Sequence, residues 1–536
     1  MPEGATDAYD YIVVGAGSAG CVLAGRLSED PDTRVLLLEA GPRDWNPFIH
    51  MPAGLSRLVN DKVLNWDYMT ESEATLDGRR LWWPRGRVLG GSSAINAMCY
   101  TRGVPADYDE WARRGADGWD WASVLPWFRR SEGNRRGADA LHGGEGPLAV
   151  SDPRHRNPLT DVFVEAAVQA GHARNPDFNG PRQEGVGLYQ VTQRDGIRCS
   201  AATAYLRPAR GRPNLEVVTG ALATRIRMET GRAVGVEYGR RGRLLRARAS
   251  REVLLCGGAI NSPQLLMLSG IGPPEELRRH GITVVHDAPG VGGNLQDHLD
   301  ICTLHHCTRR VSYDRASELR IAWDYYLRGR RGAGCSNIAE GGGFLRSRLA
   351  PDDRPDIQLH FVPAMLDDHG RNRLPGDGYT LHACHLRPRS RGRIGLTGPR
   401  ATDRPRIEAG YLSDPGGFDL RVMVECARLS REILAQPAFD PWRGAPVFPT
   451  RADLDDAGLE AFVRAKAESV YHPVGTCRMG RDEDAVVDPE LRVHGVEGLR
   501  VVDASVMPTL IGGNTNAPTI MIAERAADLI RGRASA

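Results

Sequence analysis

Residues 11–39 read YIVVGAGSAGCVLAGRLSEDPDTRVLLLE, and this stretch decides the fold. Tyr11-Ile12-Val13-Val14 is a short apolar run of the kind buried in parallel sheets. Gly15, Gly17 and Gly20 follow in G-x-G-x-x-G spacing. Ala19, Val22, Leu23 and Leu27 then repeat at helical spacing, Pro31 and Asp32 turn the chain, and Val35-Leu36-Leu37-Leu38 ends in Glu39. This is a βαβ unit in about thirty residues. Gly15 permits the tight turn, Gly17 lets the backbone approach a pyrophosphate, and Gly20 lets the helix pack close to the strand. The helix N-terminus, with Ser18 and Ala19 in it, then points free N–H groups at phosphate. Glu39, followed by Ala40, stands where a carboxylate can accept both ribose hydroxyls. The motif alone does not say which dinucleotide binds.

The 536 residues, 41% of them hydrophobic, are too many for one simple domain and predict two, interleaved in sequence. A net charge of +2 without basic runs on one face argues against a nucleic-acid binder. The cations are almost all arginine, Lys62 and Lys466 apart, which reads as coding bias. The first ten residues, MPEGATDAYD, lack the basic and apolar regions of a signal peptide. No run of about 18 apolar residues predicts a membrane span. The ten cysteines show no C-x-x-C and no zinc spacing. Cys302 and Cys307, with His305 and His306 between them, read as buried thiols beside solvated imidazoles, with no metal. The whole reads as a cytoplasmic enzyme with reduced thiols, soluble or peripheral to a membrane.

Residues 41–150 show little periodicity and many Gly, Pro and Trp, which predicts ordered loops and short helices wrapped over a site. Residues 215–218 and 233–237 read as paired strands. Residues 252–256 read as a buried strand running into Gly257-Gly258 and a helix over 262–268. Further strands are predicted at 355–361 and 379–386, an antiparallel pair, and at 499–502. Helices are predicted near 417–434, 455–468 and 520–530. The arginine-rich stretches at 239–250 and 328–332 read as solvated faces or loop ends.

Four more motifs carry chemistry: Gly86–Asn96 after Trp82-Trp83-Pro84; Gly258–Leu266 with Ser269-Gly270-Ile271-Gly272; Tyr471–Gly480; and Val502–Ser505 with Asn514–Thr519. Singly, each suits a turn or packed loop. Together they resemble the glucose–methanol–choline (GMC) oxidoreductase family, from about Tyr11 to Ala527. The first two of these four look like the family's two signature patterns. The branch most similar is that of choline, aliphatic-alcohol, polyethylene-glycol and L-sorbose dehydrogenases. Asn175–Gly180, Gln183–Gly185 and Cys199–Ala202 are similar to the sorbose and glycol members.

The resemblance implies an α+β protein of the GMC fold. A discontinuous Rossmann-type FAD domain would take 1–155, 205–300 and 455–536. A substrate domain with an antiparallel sheet and helices would take 156–204 and 301–454. His472 matches the family's active-site histidine and Asn516 its second catalytic position. A neutral imidazole can take the hydroxyl proton as hydride leaves the carbinol carbon, while an amide orients the same oxygen. Val88, Gly91, Ser92, Asn96, Ala97 and Met98 match the loop along the flavin, and Ala223 an adenine contact. Asp503, Ala504, Pro518 and Thr519 match ribityl and isoalloxazine contacts. Trp66 is expected to line the flavin or substrate pocket. Ile95 stands where some relatives link FAD through histidine, so FAD is expected to be non-covalent. Tyr471, Glu340 and His360 are candidates for contact with the substrate, and strand alternation allows only one of His360 and Phe361 to face it.

The substrate expected is an uncharged primary alcohol, polyol or sugar, because no aromatic cage for choline is evident. A quinone, a dye-like acceptor or oxygen would reoxidise the flavin. Choline dehydrogenase, oxygen-using alcohol oxidase and FAD-containing hydroxynitrile lyase are the alternatives. A nicotinamide-dependent dehydrogenase and a scaffold with a vestigial site are the rivals from other classes.

Overall fold

Two seven-stranded sheets organise the chain. The computed structural model describes residues 8–372, 374–451 and 453–533. Met1–Asp7, most of the stretch read as unlike a signal peptide, lies outside them.

The first sheet grows from the opening βαβ unit: strand β1 (Ala8–Val14), helix α1 (Ser18–Leu27) and strand β2 (Val35–Glu39), with β1 and β2 parallel. Strand Arg243–Leu255 lies parallel on the other side of β1, Leu215–Thr219 parallel outside β2, and Leu499–Val501 parallel to the end of Arg243–Leu255. The carboxyl ends of these strands therefore share one edge. It gathers Gly15, Glu39-Ala40, Cys256-Gly257-Gly258 and Val502-Asp503, where open parallel sheets bind ligands.

One predicted pairing is corrected. Residues 215–218 do not pair with 233–237; they add to β2, and the hairpin partner of Arg232–Arg240 is Leu222–Glu229. Leu222–Glu229 reads LATRIRME and buries only Ile226 fully, so its apolar pattern is too thin to read from sequence. The arginine-rich run at 243–250 forms the first part of a thirteen-residue strand whose side chains emerge mostly into solvent.

The second sheet is antiparallel, in the order Arg443–Phe448, Leu299–Cys307, Gly378–His385, Ile357–Val362, Gly341–Leu345, Gly185–Leu188, with Glu468–Ser469 added to Leu299–Cys307. Helices Phe418–Leu434 and Pro158–Gln169 pack on it. Phe361 turns toward that layer and stacks on Phe163, with centroids 4.9 Å apart, while alternation sends His360 the other way. The protein is α+β, with one largely parallel and one antiparallel sheet.

Candidate active site

A cavity of about 410 Å³ joins the carboxyl edge of the first sheet to the inner face of the second. At the first-sheet end it is lined by Gly15, Gly17, Ser18, Ala19, Glu39, Ala40, Gly91, Ser92, Ala223, Asp503, Ala504 and Thr519. The glycines there are steric necessities. Gly15 has φ +100°, and a Cβ on it would lie 2.6 Å from the Cys256 carbonyl oxygen. A Cβ on Gly91 would lie 2.6 Å from Gly17 Cα, so two glycine turns meet backbone to backbone. This cradle, with the N–H groups of α1 opening onto it, fits a dinucleotide pyrophosphate. The Glu39 carboxylate accepts the N–H groups of Ala16 at 2.9 Å and Gly41 at 2.8 Å. Burial still pushes its pKa up to about 7. Asp503 accepts from the backbone of Gly258 at 2.8 Å and the Ser262 hydroxyl at 2.6 Å, tying the helix after Arg243–Leu255 to the last strand.

Ile95, Asn96, Ala97 and Met98 line the middle of the cavity, with Trp66. The Trp66 ring stacks on Tyr68 at 5.8 Å, and the Arg87 guanidinium lies 5.1 Å from it. Met98, Ile338 and Tyr471 all line the cavity with left-handed backbone (φ 61°, 72° and 68°), a conformation that favours glycine and marks stored strain.

At the second-sheet end stand His360, His382, Tyr471, His472 and Asn514. His472 is held by its own backbone. Its N–H donates to Asp297 Oδ1 at 2.7 Å, and Oδ2 of the same carboxylate accepts the hydroxyls of Tyr411 and Ser469. Its ring has two neighbours: Nδ1 lies 3.0 Å from His298 Nδ1, and Nε2 lies 3.2 Å from Asn514 Nδ2. The Asn514 amide is oriented so that its Oδ1 accepts from Thr101 Oγ1 and from Gln358 Nε2, each at 3.0 Å, and its Nδ2 faces His472. An amide nitrogen only donates, so Nε2 of His472 carries the lone pair and Nδ1 the proton. Burial, then His360 and Arg85, lowers the His472 pKa to about 3, so the ring is neutral at physiological pH.

Two candidate residues are placed differently. Asn516 lines the cavity, but its Oδ1 accepts from Ser18 Oγ at 2.7 Å at the start of α1, so the amide beside His472 is that of Asn514. Asn516 is the first residue of helix Asn516–Ile530, and that position turns its side chain toward α1. Glu340 does not line the cavity. It is fully buried, and its carboxylate is saturated by the Asn157 N–H and the hydroxyls of Thr160, Tyr313 and Ser336. Gly20, Val88 and Pro518 lie behind the cavity wall. A Cβ on Gly20 would lie 1.8 Å from the Gly15 carbonyl, so this glycine lets α1 approach the turn. Val88 packs its side chain among Ile49, Leu58 and Leu64.

Sequence reasoning missed His298 and His382. Neither stands in a motif, and each acquires meaning only through a residue distant in sequence. Cys302 and His382 are direct cross-strand partners, with Sγ 3.1 Å from His382 Nδ1, and that Nδ1 lies 2.6 Å from Asp300 Oδ2. The partner of Cys302 is thus on the next strand, not among its sequence neighbours His305 and His306.

Residues 9–300 match the N-terminal part, and residues 388–523 the C-terminal part, of the GMC oxidoreductase family. An alcohol dehydrogenase (acceptor) from Pseudomonas putida is 49% identical, covering 97% of this chain and 95% of its own length. The mitochondrial choline dehydrogenase of Homo sapiens is also 49% identical, covering 98% and 90%. The crystal structure of pyridoxine 4-oxidase from Mesorbium loti superposes with a TM-score of 0.89 at 34% identity, covering 98% of this chain and 100% of that one. A formate oxidase variant from Aspergillus oryzae, concerned with modification of its FAD, superposes with a TM-score of 0.91 at 28% identity, covering 99% of both.

Proposed function

The chain belongs to the GMC oxidoreductase family and is an FAD-dependent oxidoreductase, and on that premise we propose that it oxidises an uncharged alcohol with His472 as base. The observation that carries this reading is the neutral, backbone-anchored imidazole of His472 facing the cavity beside the fixed amide of Asn514.

The glycine cradle, Glu39 and Asp503 would hold FAD, which supplies the hydride acceptor when bound. The other roles fall to side chains. Asn514 orients the substrate hydroxyl. His472 Nε2 takes its proton, raising electron density on the oxygen as the carbinol hydrogen departs. His298 accepts from His472 Nδ1–H and so keeps the lone pair of Nε2 on the cavity side. Tyr471, His360 and His382 wall the substrate space.

Charge supports an uncharged substrate. Among the described residues, Glu39 and Asp503 are the carboxylates lining the cavity, and both stand at the first-sheet end. A quaternary ammonium would therefore meet no carboxylate on the wall beside His472. Steady-state assays with a dye acceptor test this: kcat/KM should be higher for neutral primary alcohols, polyols or sugars than for choline. Choline as the best substrate would overturn the assignment. Reoxidation by air against quinone or dye separates the acceptors.

Ile95 on the cavity wall supports non-covalent FAD. Acid precipitation should release the yellow colour into the supernatant; colour kept in the pellet would refute it. In this reading the FAD domain keeps 1–155, 205–300 and 455–536, and the substrate domain 156–204 and 301–454. Leu299-Asp300 and Glu468-Ser469 cross over to strengthen the second sheet.

A further inference from the structure

Helical residues Glu318–Ala322 and Trp323–Leu327 form one continuous segment with two apolar faces. The inner face is used: Ile321 and Tyr325 pack with Phe48, Met51 and Cys335, and the Tyr325 hydroxyl donates to the His50 carbonyl at 3.0 Å. The outer face is apolar as well. Leu319, Trp323, Tyr326 and Leu327 stand outside the cluster of Ile321 and Tyr325 and are 85%, 58%, 53% and 67% exposed. The adjoining segment 43–63 adds Trp45 and Val63, at 79% and 61%. These six are most of the large hydrophobic side chains exposed among the described residues, and the four on the helical segment form the kind of apolar patch that marks an interaction site.

The charge around the patch narrows the partner. Residues 43–63 and 315–331 carry eight cations (Arg43, Arg57, Lys62, Arg315, Arg320, Arg328, Arg330, Arg331) against four carboxylates (Asp44, Asp61, Glu318, Asp324). The excess of four is twice the net charge of the whole chain. Glu318 is taken by Arg57 at 2.6 Å, Asp324 by Arg328 at 3.2 Å and Arg320 at 3.7 Å, and Arg315 pairs with Asp377 at 3.1 Å, while the flanking cations, Arg43, Lys62, Arg330 and Arg331 among them, are exposed. Tryptophan, tyrosine and leucine on one side with arginines along the rim is the composition that lies in a bilayer interface. The charge complement of such a rim is anionic lipid.

We propose that this face docks the enzyme on an anionic membrane surface, without crossing it. Among the described residues no helix is long and apolar enough to cross a membrane. The docking face adjoins the site: Leu55, Ser56 and Val59, within segment 43–63, line the cavity. Docking would set that wall beside the lipid, where a lipid-dissolved electron acceptor is concentrated.

The test is co-sedimentation of the FAD-loaded enzyme with vesicles of phosphatidylcholine alone and of phosphatidylcholine with phosphatidylglycerol. The wild type should bind the anionic vesicles, weakly or not at all the neutral ones, and release with salt. Combining Leu319→Asp, Trp323→Asp and Leu327→Asp should weaken binding at least about tenfold with dye-linked alcohol oxidation unchanged. Arg330→Glu with Arg331→Glu should weaken it less and flatten the salt dependence. A wild type that stays in the supernatant with anionic vesicles, or instead pairs with a second copy through this face, would overturn the proposal. So would a triple variant that binds as the wild type does.

Discussion

At the first-sheet end of the cavity, Gly15, Gly17, Ser18 and Ala19 come from five consecutive residues and act largely through backbone. At the second-sheet end, His360, His382, His472 and Asn514, with His298 behind His472, come from five separate segments and present side chains. The first end works by leaving space, since a single added carbon at Gly15 meets the Cys256 carbonyl. The second works by withholding water, since burial keeps His472 uncharged. A steric device fails all at once, whereas an electrostatic one can be lowered in steps.

The sharpest test of that contrast is Gly15→Ala. Its φ and the 2.6 Å approach leave no accommodation, so the purified protein should carry no flavin and show no activity. Flavin absorbance per mole of protein measures this, and a yellow Gly15→Ala protein would break the comparison. His472→Ala comes next: flavin content near normal, but anaerobic flavin reduction by alcohol slowed at least about a hundredfold. Asn514→Ala should slow the same step about tenfold, the scale of one orienting hydrogen bond at about 1.4 kcal/mol. Asn516→Ala should cost less, because it loosens Ser18 rather than the base. Stopped-flow traces of the two asparagine variants side by side decide between them, and a larger effect at Asn516 would reverse the assignment made here.

The smallest effect is one of pH. In the proposed mechanism the neutral ring is the proton acceptor, and its pKa is depressed to about 3, so lowering pH from neutrality through 6.5 should leave most of it neutral. The reduction rate should stay level across that range. An acid limb centred near 6.5 in the wild type and missing from His472→Ala would show that the ring is more open to water than its surroundings indicate.

The two ends also differed in how far sequence could reveal them. Strand, glycine turn, helix and terminal Glu39 are written consecutively, so a local pattern suffices. His472 was legible because it sits in a motif with Pro473 and Gly475. Asn514 and Asn516 stand in one motif, two residues apart, and only the start of the helix decides which amide meets the imidazole. Glu340 looked available because a carboxylate in a glycine-rich stretch shows no partner in sequence; its four donors come from residues 157, 160, 313 and 336. His298 and His382 carry no local signal: His298 meets His472 only once the chain before the second sheet has bridged to Val474, and His382 meets Cys302 and Asp300 only once Leu299–Cys307 has paired with Gly378–His385.

The fastening of His472 has a consequence for descent. Its N–H is bonded to Asp297, Val474 bridges to Gln296, and Gly475 rests against Asn294. His472 is thus anchored to a short stretch just ahead of the second sheet. His360, Val362 and His382 come from two other strands, Ile357–Val362 and Gly378–His385. Substitutions on those strands can widen, narrow or recharge the chamber while the anchor stays whole. In the proposed mechanism selectivity and proton abstraction lie on different stretches of chain, so a lineage built this way can exchange one alcohol for another by single steps, each ancestor still a working enzyme.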